Sequence, residues 1–310
     1  MAALAPSRAR VFIDGEAGTT GLQIRERLAR LASTIEVVSI DPARRKDAAA
    51  RAEVMQTVDA VVLCLPDEAA IEAVAIADGL GPRSPKIVDA STAHRVAPGW
   101  VYGFAELDAH QADVIRGAAR VANPGCYPTG AIALIRPLID AQILASDTPI
   151  TVNAVSGYSG GGRSMIEAYE AGRAPQFELY GLALDHKHIP ELMAYGGLTR
   201  RPIFVPSVGN FAQGMLVSIP LHLEILHGKP AASDIEAALR AHYAPVSRVR
   251  VMPAQMRLEP QALNGGDDLE LFVCSNPAHG QAVLIARLDN LGKGAAGAAV
   301  QNLQLMLGLA

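Results

Sequence analysis

The stretch Ala9 to Ala32, ARVFIDGEAGTTGLQIRERLARLA, decides the fold. Its opening, ARVFIDG, is rich in β-formers and stops at a glycine. Gly15, Gly18 and Gly21 then recur at a spacing of three, and TTGLQIRERLARLA carries Leu22, Ile24, Leu28 and Leu31 close to helical spacing. A strand, a glycine-rich turn and a helix in that order let the backbone turn tightly and approach a pyrophosphate, whose charge a helix N-terminus favours. The usual fingerprint is G-x-G-x-x-G, so the G-x-x-G-x-x-G spacing here is a variant, and a glycine-rich turn without a ligand stands beside it as the other reading.

The pattern continues in the same sense. IEVVSID, a run of Ala, Arg and Lys of helical character, DAVVLCLPD, the helix-like EAAIEAVAIADGL stopped by Gly79 and Gly81, and KIVDAST alternate strand with helix. Such alternation implies βαβ units and a parallel sheet covered on both faces, which the continuous apolar AVVLCL fits. After about residue 127 long strand-like runs follow: PITVNAVSGYS, RPIFVPSVGNFAQGMLVSIPLHLE, DLELFVCSN and QAVLIARLDN. Helices such as RSMIEAYEAG and ASDIEAALRAHYA interrupt them, so the expectation is an α+β domain with a mostly antiparallel sheet. The tail GKGAAGAAVQNLQLMLG reads as a helix whose small face returns to the first domain.

Composition narrows the class. The 310 residues are half hydrophobic and 19% charged, enough for two domains with sizeable cores. A formal charge of -4 gives no support to nucleic-acid binding. Three cysteines argue against a disulfide framework and for a reducing compartment. No apolar run reaches the ~18 residues of a membrane span, and the leader MAALAPSRAR is too short and broken for a signal peptide. The expectation is a soluble cytoplasmic protein. Its low charge fraction fits either surface hidden in an oligomer or simply a large core.

Several residues could carry chemistry. At the end of the second strand, Asp41 would accept from a ribose 2′-hydroxyl and suggest NAD, whereas Arg44, Arg45 and Lys46 would clamp a 2′-phosphate and suggest NADP. In NPGCYPTG, Cys126 stands at a helix start, where a thiol is driven toward the reactive thiolate and backbone N–H groups could hold an oxyanion. An inert core cysteine is the alternative, and Cys64 and Cys274, inside apolar strand runs, keep that reading. LDHKHIPEL offers His186 and His188 as acid/base partners, with Glu191 as a candidate ligand or orienting partner, and two surface histidines without a role stand as the other reading. A metal site is the rival there, disfavoured because no cysteine or carboxylate cluster has zinc spacing. VSGYSGGGRSM allows close backbone approach at Gly160, Gly161 and Gly162, with Arg163 able to meet an anion, and Arg95 in DASTAHRV follows a parallel strand on the side where ligands bind.

Taken together, GEAGTTGLQIRERL, DASTAHRV, YGFAELD, NPGCYPTG, SGYSGGGRSMIEAYE, HKHIPEL and DNLGKGAAGAAVQNLQLMLG resemble the N-acetyl-gamma-glutamyl-phosphate reductase family in its shorter form, nearly end to end. The resemblance implies a Rossmann-like NADP-binding domain, residues 1–126 completed by a helix at 290–310, and a catalytic and oligomerisation domain at 127–289. This is the α/β architecture of glyceraldehyde-phosphate and aspartate-semialdehyde dehydrogenases. It implies NADP held by Gly15, Gly18, Thr19, Thr20, Gly21, Arg44, Arg45 and Pro66. It makes Cys126 the nucleophile and His186 the acid/base, and gives Arg95, His188, Ser159 and Gly160 to the substrate, with no metal and a dimer or tetramer. The implied reaction is reductive dephosphorylation of N-acetyl-L-glutamyl 5-phosphate through a cysteine thioester, on the route to arginine. Rival readings are the same chemistry on aspartyl or carrier-bound aminoadipyl phosphate, an NADP-binding regulator without turnover, and a cysteine hydrolase.

Overall fold

A computed structural model of the chain describes residues 8–243 and 248–310. Met1 to Ser7, most of the leader considered above, and Ala244 at the end of one helical run lie outside the described residues. Packing divides the chain into two units. The first runs to Gly103 and takes in Ala112–Asn123 and Ala296–Ala310; the second comprises Phe104–Gln111 and Pro124–Ala295. The borders read from the sequence were 126/127 and 289/290.

In the first unit β1 (Ala9–Asp14), β2 (Ile35–Val38), β3 (Ala60–Leu63), β4 (Lys86–Asp89), β5 (Val101–Tyr102) and β6 (Arg120–Ala122) form one sheet in the order β2-β1-β3-β4-β6-β5, parallel in every described ladder. The chain leaves β1 for β2 on one side and returns to β3 on the other, so the order reverses beside β1. In such sheets that reversal opens a crevice at the carboxyl ends of the strands. Helices α1 (Thr19–Ala29), α2 (Ala48–Met55), α3 (Asp67–Asp78) and α4 (Gln111–Gly117) are the crossovers. Ala70, Ala73 and Ala77 on α3 are fully buried, and their small side chains let the helix lie close on Val61, Leu63 and Ile87. On α1, Ile24 and Leu28 are buried, whereas Leu22 is 56% exposed: it lies off the stripe that the helical spacing was meant to include. The basic run before α2 is a turn, and the helix starts only at Ala48, where the Asp47 carboxylate accepts from the Ala49 N–H. The C-terminal helix Gly297–Met306 packs on α1 and β4 through a buried face that includes Gly297, Ala298 and Ala299.

The second unit is built on α5 (Cys126–Asp140), β7 (Thr151–Gly157), α6 (Arg163–Glu170), β8 (Phe177–Leu179), α7 (Ile189–Gly196), β9 (Ile203–Gly209), β10 (Met215–His222), α8 (Ala232–Tyr243), β11 (Val249–Val251), β12 (Leu269–Asn276) and β13 (Gln281–Leu288). The strands order as β11-β12-β13-β10-β7-β9-β8. The sheet is mixed: β7/β9 and β11/β12 pair parallel and the other described ladders antiparallel. Along β10, Met215, Val217, Ile219 and Leu221 are buried in strict alternation, the signature of a sheet covered on one face. The cover is α5 and α8. Helix α5 tolerates Pro128 in its first turn, where an N–H would have no helical partner. Pro137 further along deprives the Ala133 carbonyl of its helical donor, and the buried Tyr243 hydroxyl supplies the replacement at 2.9 Å.

Candidate active site

The crevice of the first unit is a cleft of about 340 Å³ lined by Phe12 to Gly18, Ile40, Pro42, Arg45, Lys46, Cys64 and Leu65. Gly15 has φ +90°, and a Cβ there would stand 2.3 Å from the Cys64 carbonyl oxygen; one at Gly21 would stand 2.5 Å from the Gly15 oxygen. These two glycines therefore serve the turn itself. Gly18 is different: its φ is -81° and a Cβ would meet the Gly15 oxygen at 3.4 Å. As N-cap of α1 it offers no side-chain acceptor, so the amides that open α1 at Thr19 and Thr20 are left for another partner. An uncapped helix start with a bare backbone beside a cleft fits a pyrophosphate. Pro66 is the N-cap of α3, next to the lining residue Leu65.

The cofactor cues at the end of β2 take different positions. Asp41 Oδ1 accepts from the Ala43 N–H at 2.9 Å and so folds its own turn. Arg44 reaches Asp47 and Glu53, at 3.3 and 3.4 Å, and does not line the cleft; Arg45 and Lys46 do. Cys64 lines the same cleft, but burial first, then the Asp14 and Asp89 carboxylates, push its thiol far above the ordinary range. It stays a thiol.

Asp89, fully buried at the end of β4, accepts from the Ser91 N–H and hydroxyl and from His94 Nδ1, at 2.9, 2.7 and 2.6 Å. His94 stacks on Trp100 at 4.2 Å. This organises the loop that carries Arg95, which is buried and donates through Nε to the Asn123 carbonyl at 3.1 Å. Nearby in the same unit, the buried Asn302 donates to the Gly103 oxygen and to Asn123 Oδ1, while its own Oδ1 has no hydrogen-bond partner. An orphaned buried acceptor is costly and marks a place where a ligand donor would fit.

In the second unit Cys126 is the first residue of α5 and is partly exposed; its N-cap Gly125 has extended φ/ψ and no side chain to cap the helix. The Gly125 N–H is instead taken by Glu191 Oε2 at 3.0 Å, so the buried Glu191 of α7 ties the histidine segment to the turn before Cys126. His186 and His188 stand with ring centroids 4.7 Å apart, both against Tyr127. His186 Nδ1 accepts from the His188 N–H at 3.2 Å, which puts the proton of the neutral ring on Nε2. The Tyr127 hydroxyl donates to the Ser207 carbonyl at 3.0 Å and accepts from the Tyr180 hydroxyl at 3.1 Å. Burial chiefly, with the charge of a Cys126 thiolate adding to it, pushes Tyr180 up to about 12; Tyr127 is raised further, again mainly by burial. Both phenols stay neutral beside the sulfur.

A second network runs through Ser159, Asn290 and Asp289. Ser159 Oγ accepts from Asn290 Nδ2 at 3.0 Å, and Asn290 Oδ1 accepts from the Gly214 N–H at 2.9 Å. Gly160 follows Ser159 in an exposed turn. The buried Asp289 takes the N–H groups of Gly265 and Leu291, and its carbonyl takes that of Gly294. A Cβ on Gly294 would stand 2.8 Å from Cys126 Cβ, so only glycine lets this segment fit against Cys126. Lys293 beside it is buried and bound to Glu106 at 2.6 Å. The sequence singles out Cys126, His186, His188 and Glu191, and the structure sets Glu191 on the residue before Cys126 and both histidines beside Tyr127. Sequence reasoning missed Tyr127, Tyr180, Asn302 and Gly294, whose partners lie far away in the chain. Among the described residues no three His, Cys, Asp or Glu converge as a metal site.

Residues 126–290 match the family model of the semialdehyde dehydrogenase dimerisation domain. Among solved structures, aspartate semialdehyde dehydrogenase II of Vibrio cholerae is similar at TM-score 0.74 and 14% identity, over 97% of this chain and 99% of that one. An aspartate semialdehyde dehydrogenase of Candida albicans with NADP is similar at TM-score 0.66 and 14% identity, over the same shares. The fold is that of the semialdehyde dehydrogenases. Among curated relatives, N-acetyl-gamma-glutamyl-phosphate reductase 2 of Pseudomonas putida is 51% identical over 96% of each chain, and N-acetyl-gamma-glutamyl-phosphate reductase of Brucella ovis is 52% identical over 96% of this chain and 99% of its own. The chain belongs to the N-acetyl-gamma-glutamyl-phosphate reductase family.

Proposed function

We propose that the protein reduces N-acetyl-L-glutamyl 5-phosphate to N-acetyl-L-glutamate 5-semialdehyde and phosphate with NADPH, a step toward arginine. Relatives of that name, half identical over almost their whole length, support the substrate. The chemistry is carried by one observation: Cys126 opens a 15-residue helix whose first turn has no side-chain cap. The helix dipole and the amides of that turn favour a thiolate and then an oxyanion at the same place.

Cys126 Sγ attacks the acyl carbon, the bond to the phosphate oxygen breaks, and phosphate leaves behind a thioester. NADP in its reduced form supplies the hydride when bound. Gly15, Gly18, Thr19, Thr20 and Gly21 would hold its pyrophosphate, Arg44, Arg45 and Lys46 its 2′-phosphate, Pro66 the cleft edge, and Asn302 Oδ1 a carboxamide N–H. His186 Nε2–H holds the charge of the tetrahedral oxygen and gives it up as the C–S bond breaks, releasing aldehyde and thiolate. His188, Ser159 and Gly160 line the substrate's path in this reading, and Arg95 takes its phosphate or carboxylate. We assign nucleotide binding to the first unit, catalysis and oligomerisation to the second, and the reaction to the cytoplasm. Among the described residues no helix is long and apolar enough to cross a membrane.

A second copy is the natural cover for the outer face of the seven-stranded sheet, in a dimer. A groove of about 650 Å³ there is lined by Val155, Phe177, Leu179, Leu216, Met256 and Ile285 among others, and Phe177 and Met256 are 56% and 100% exposed.

The test of the function runs the reaction backwards. With N-acetylglutamate semialdehyde, phosphate and NADP⁺, reduced nucleotide should form, and aspartate semialdehyde should give a kcat/KM lower by about 100-fold, because a site built for the acetamido group leaves polar groups unpaired without it. An equal or higher value with aspartate semialdehyde would move the assignment to aspartyl phosphate.

A further inference from the structure

Glu16 sits in the phosphate loop and lines the nucleotide cleft. Its Oε2 accepts from Arg25 NH1 of α1 at 2.6 Å and from Ser39 Oγ at 3.2 Å, and Arg25 NH1 is itself 3.0 Å from Ser39 Oγ. Three elements thus converge on one anionic oxygen: the loop after β1, helix α1, and the residue that follows β2. The last of these matters most. In dinucleotide folds the residue at the end of the second strand meets the adenosine ribose, where an acid selects the free 2′-hydroxyl and cations accept a 2′-phosphate. Here that residue is Ser39, a donor, while Asp41 is folded into its own turn. Arg45 and Lys46 line the same cleft.

From this arrangement we propose that Glu16 is a stand-in anion: in the nucleotide-free protein its carboxylate holds the place of the cofactor's 2′-phosphate, which takes over Arg25 and Ser39 when it binds. The inference rests on the reading of NADP as the cofactor and adds how the phosphate is recognised. An oxygen that accepts from a guanidinium and a hydroxyl together has the hydrogen-bonding pattern of a phosphate oxygen. The pair is also built to yield. Glu16 and Arg25 side chains are 35% and 46% exposed, and ion pairs so open to water are held weakly. A phosphate brings more charge and three acceptor oxygens to the same donors, with Arg45 and Lys46 adding their charge. A nucleotide lacking that phosphate has nothing to displace the carboxylate, so Arg25 remains with Glu16.

Titration calorimetry of the full chain with adenosine 2′,5′-bisphosphate and with 5′-AMP reads this without any turnover. Wild type should bind the bisphosphate more tightly than 5′-AMP. Glu16→Gln, which keeps the shape and removes the competing charge, should tighten the bisphosphate about tenfold and leave 5′-AMP within about twofold. Arg25→Met should weaken the bisphosphate about tenfold or more with little change for 5′-AMP. A wild type that shows no preference would sink the NADP reading and this inference with it. A wild type that prefers the bisphosphate, with Glu16→Gln not tightening it or with both variants shifting the two ligands alike, would overturn the stand-in role and leave the NADP reading intact.

Discussion

Cys126→Ser should lower kcat by more than ~100-fold while the protein keeps its fold and its affinity for nucleotide. The replacement is smaller at the reacting atom, so the contact between Cys126 and the bare backbone of Gly294 survives. What is lost is ionisation. A thiol near ~8.5 is brought to a useful thiolate fraction by a helix N-terminus, whereas a hydroxyl in the same place remains protonated and leaves poorly from an ester. Glu191 on the Gly125 N–H and the hydroxyls of Tyr127 and Tyr180 do not depend on the sulfur, so thermal melting and nucleotide binding should be unchanged. Steady-state kinetics beside a melting curve separates these outcomes. A serine variant as fast as wild type would remove the covalent route.

Arg51→Met carries the largest expected effect on stability. Asp14 closes β1 at 5% exposure, and Arg51, 4% exposed, donates to its Oδ2 through Nε at 2.9 Å and NH2 at 2.7 Å. Burial outweighs even this partner and holds the Asp14 carboxyl above its ordinary value of 3.8. Removing the guanidinium leaves a buried carboxylate uncompensated, a change that costs about 3–5 kcal/mol. The sign of the pH dependence follows. A folded-state value above the unfolded one means that the native protein binds the extra proton, so ionised Asp14 costs stability at neutral pH and the cost fades as the pH falls through the raised value toward 3.8. Without Arg51 that value rises further. Urea unfolding should therefore show a large gap between variant and wild type at neutral pH and a smaller one in acid. Adding Asp14→Asn to the variant should recover much of the loss. A gap that is small, or that does not change with pH, would contradict this account of the pair.

Much of this was legible in the sequence because the deciding signals are local. The strand, glycine turn and helix of Ala9 to Ala32 mark a dinucleotide crevice, and the Pro-Gly-Cys turn marks a thiol at a helix start. What the sequence left open has physical causes too. Arg44, Arg45 and Lys46 are equivalent on paper; their directions are set by a turn that Asp41 folds on its own backbone, which sends Arg44 out to Asp47 and Glu53. Leu22 fits a helical count and still faces water, because only the stripe through Ile24 and Leu28 meets the sheet. β5, β8 and β11 have two or three residues each, too few for any period to show. Glu191 meets Gly125 across 66 residues and Asn302 meets Asn123 across 179, distances over which pattern carries no information. Gly294, within what reads as the small face of a helix, is a glycine because Cys126 lies against it.

The most direct measurement follows the acyl group itself. Protein mixed with N-acetylglutamyl phosphate and no reduced nucleotide, then acid-quenched, digested and weighed by mass spectrometry, should show the peptide containing Cys126 heavier by one N-acetylglutamyl group, and reduced nucleotide added before the quench should remove it. Phosphate released with no acylation of Cys126, or acylation at another residue that reduced nucleotide discharges, would contradict the account.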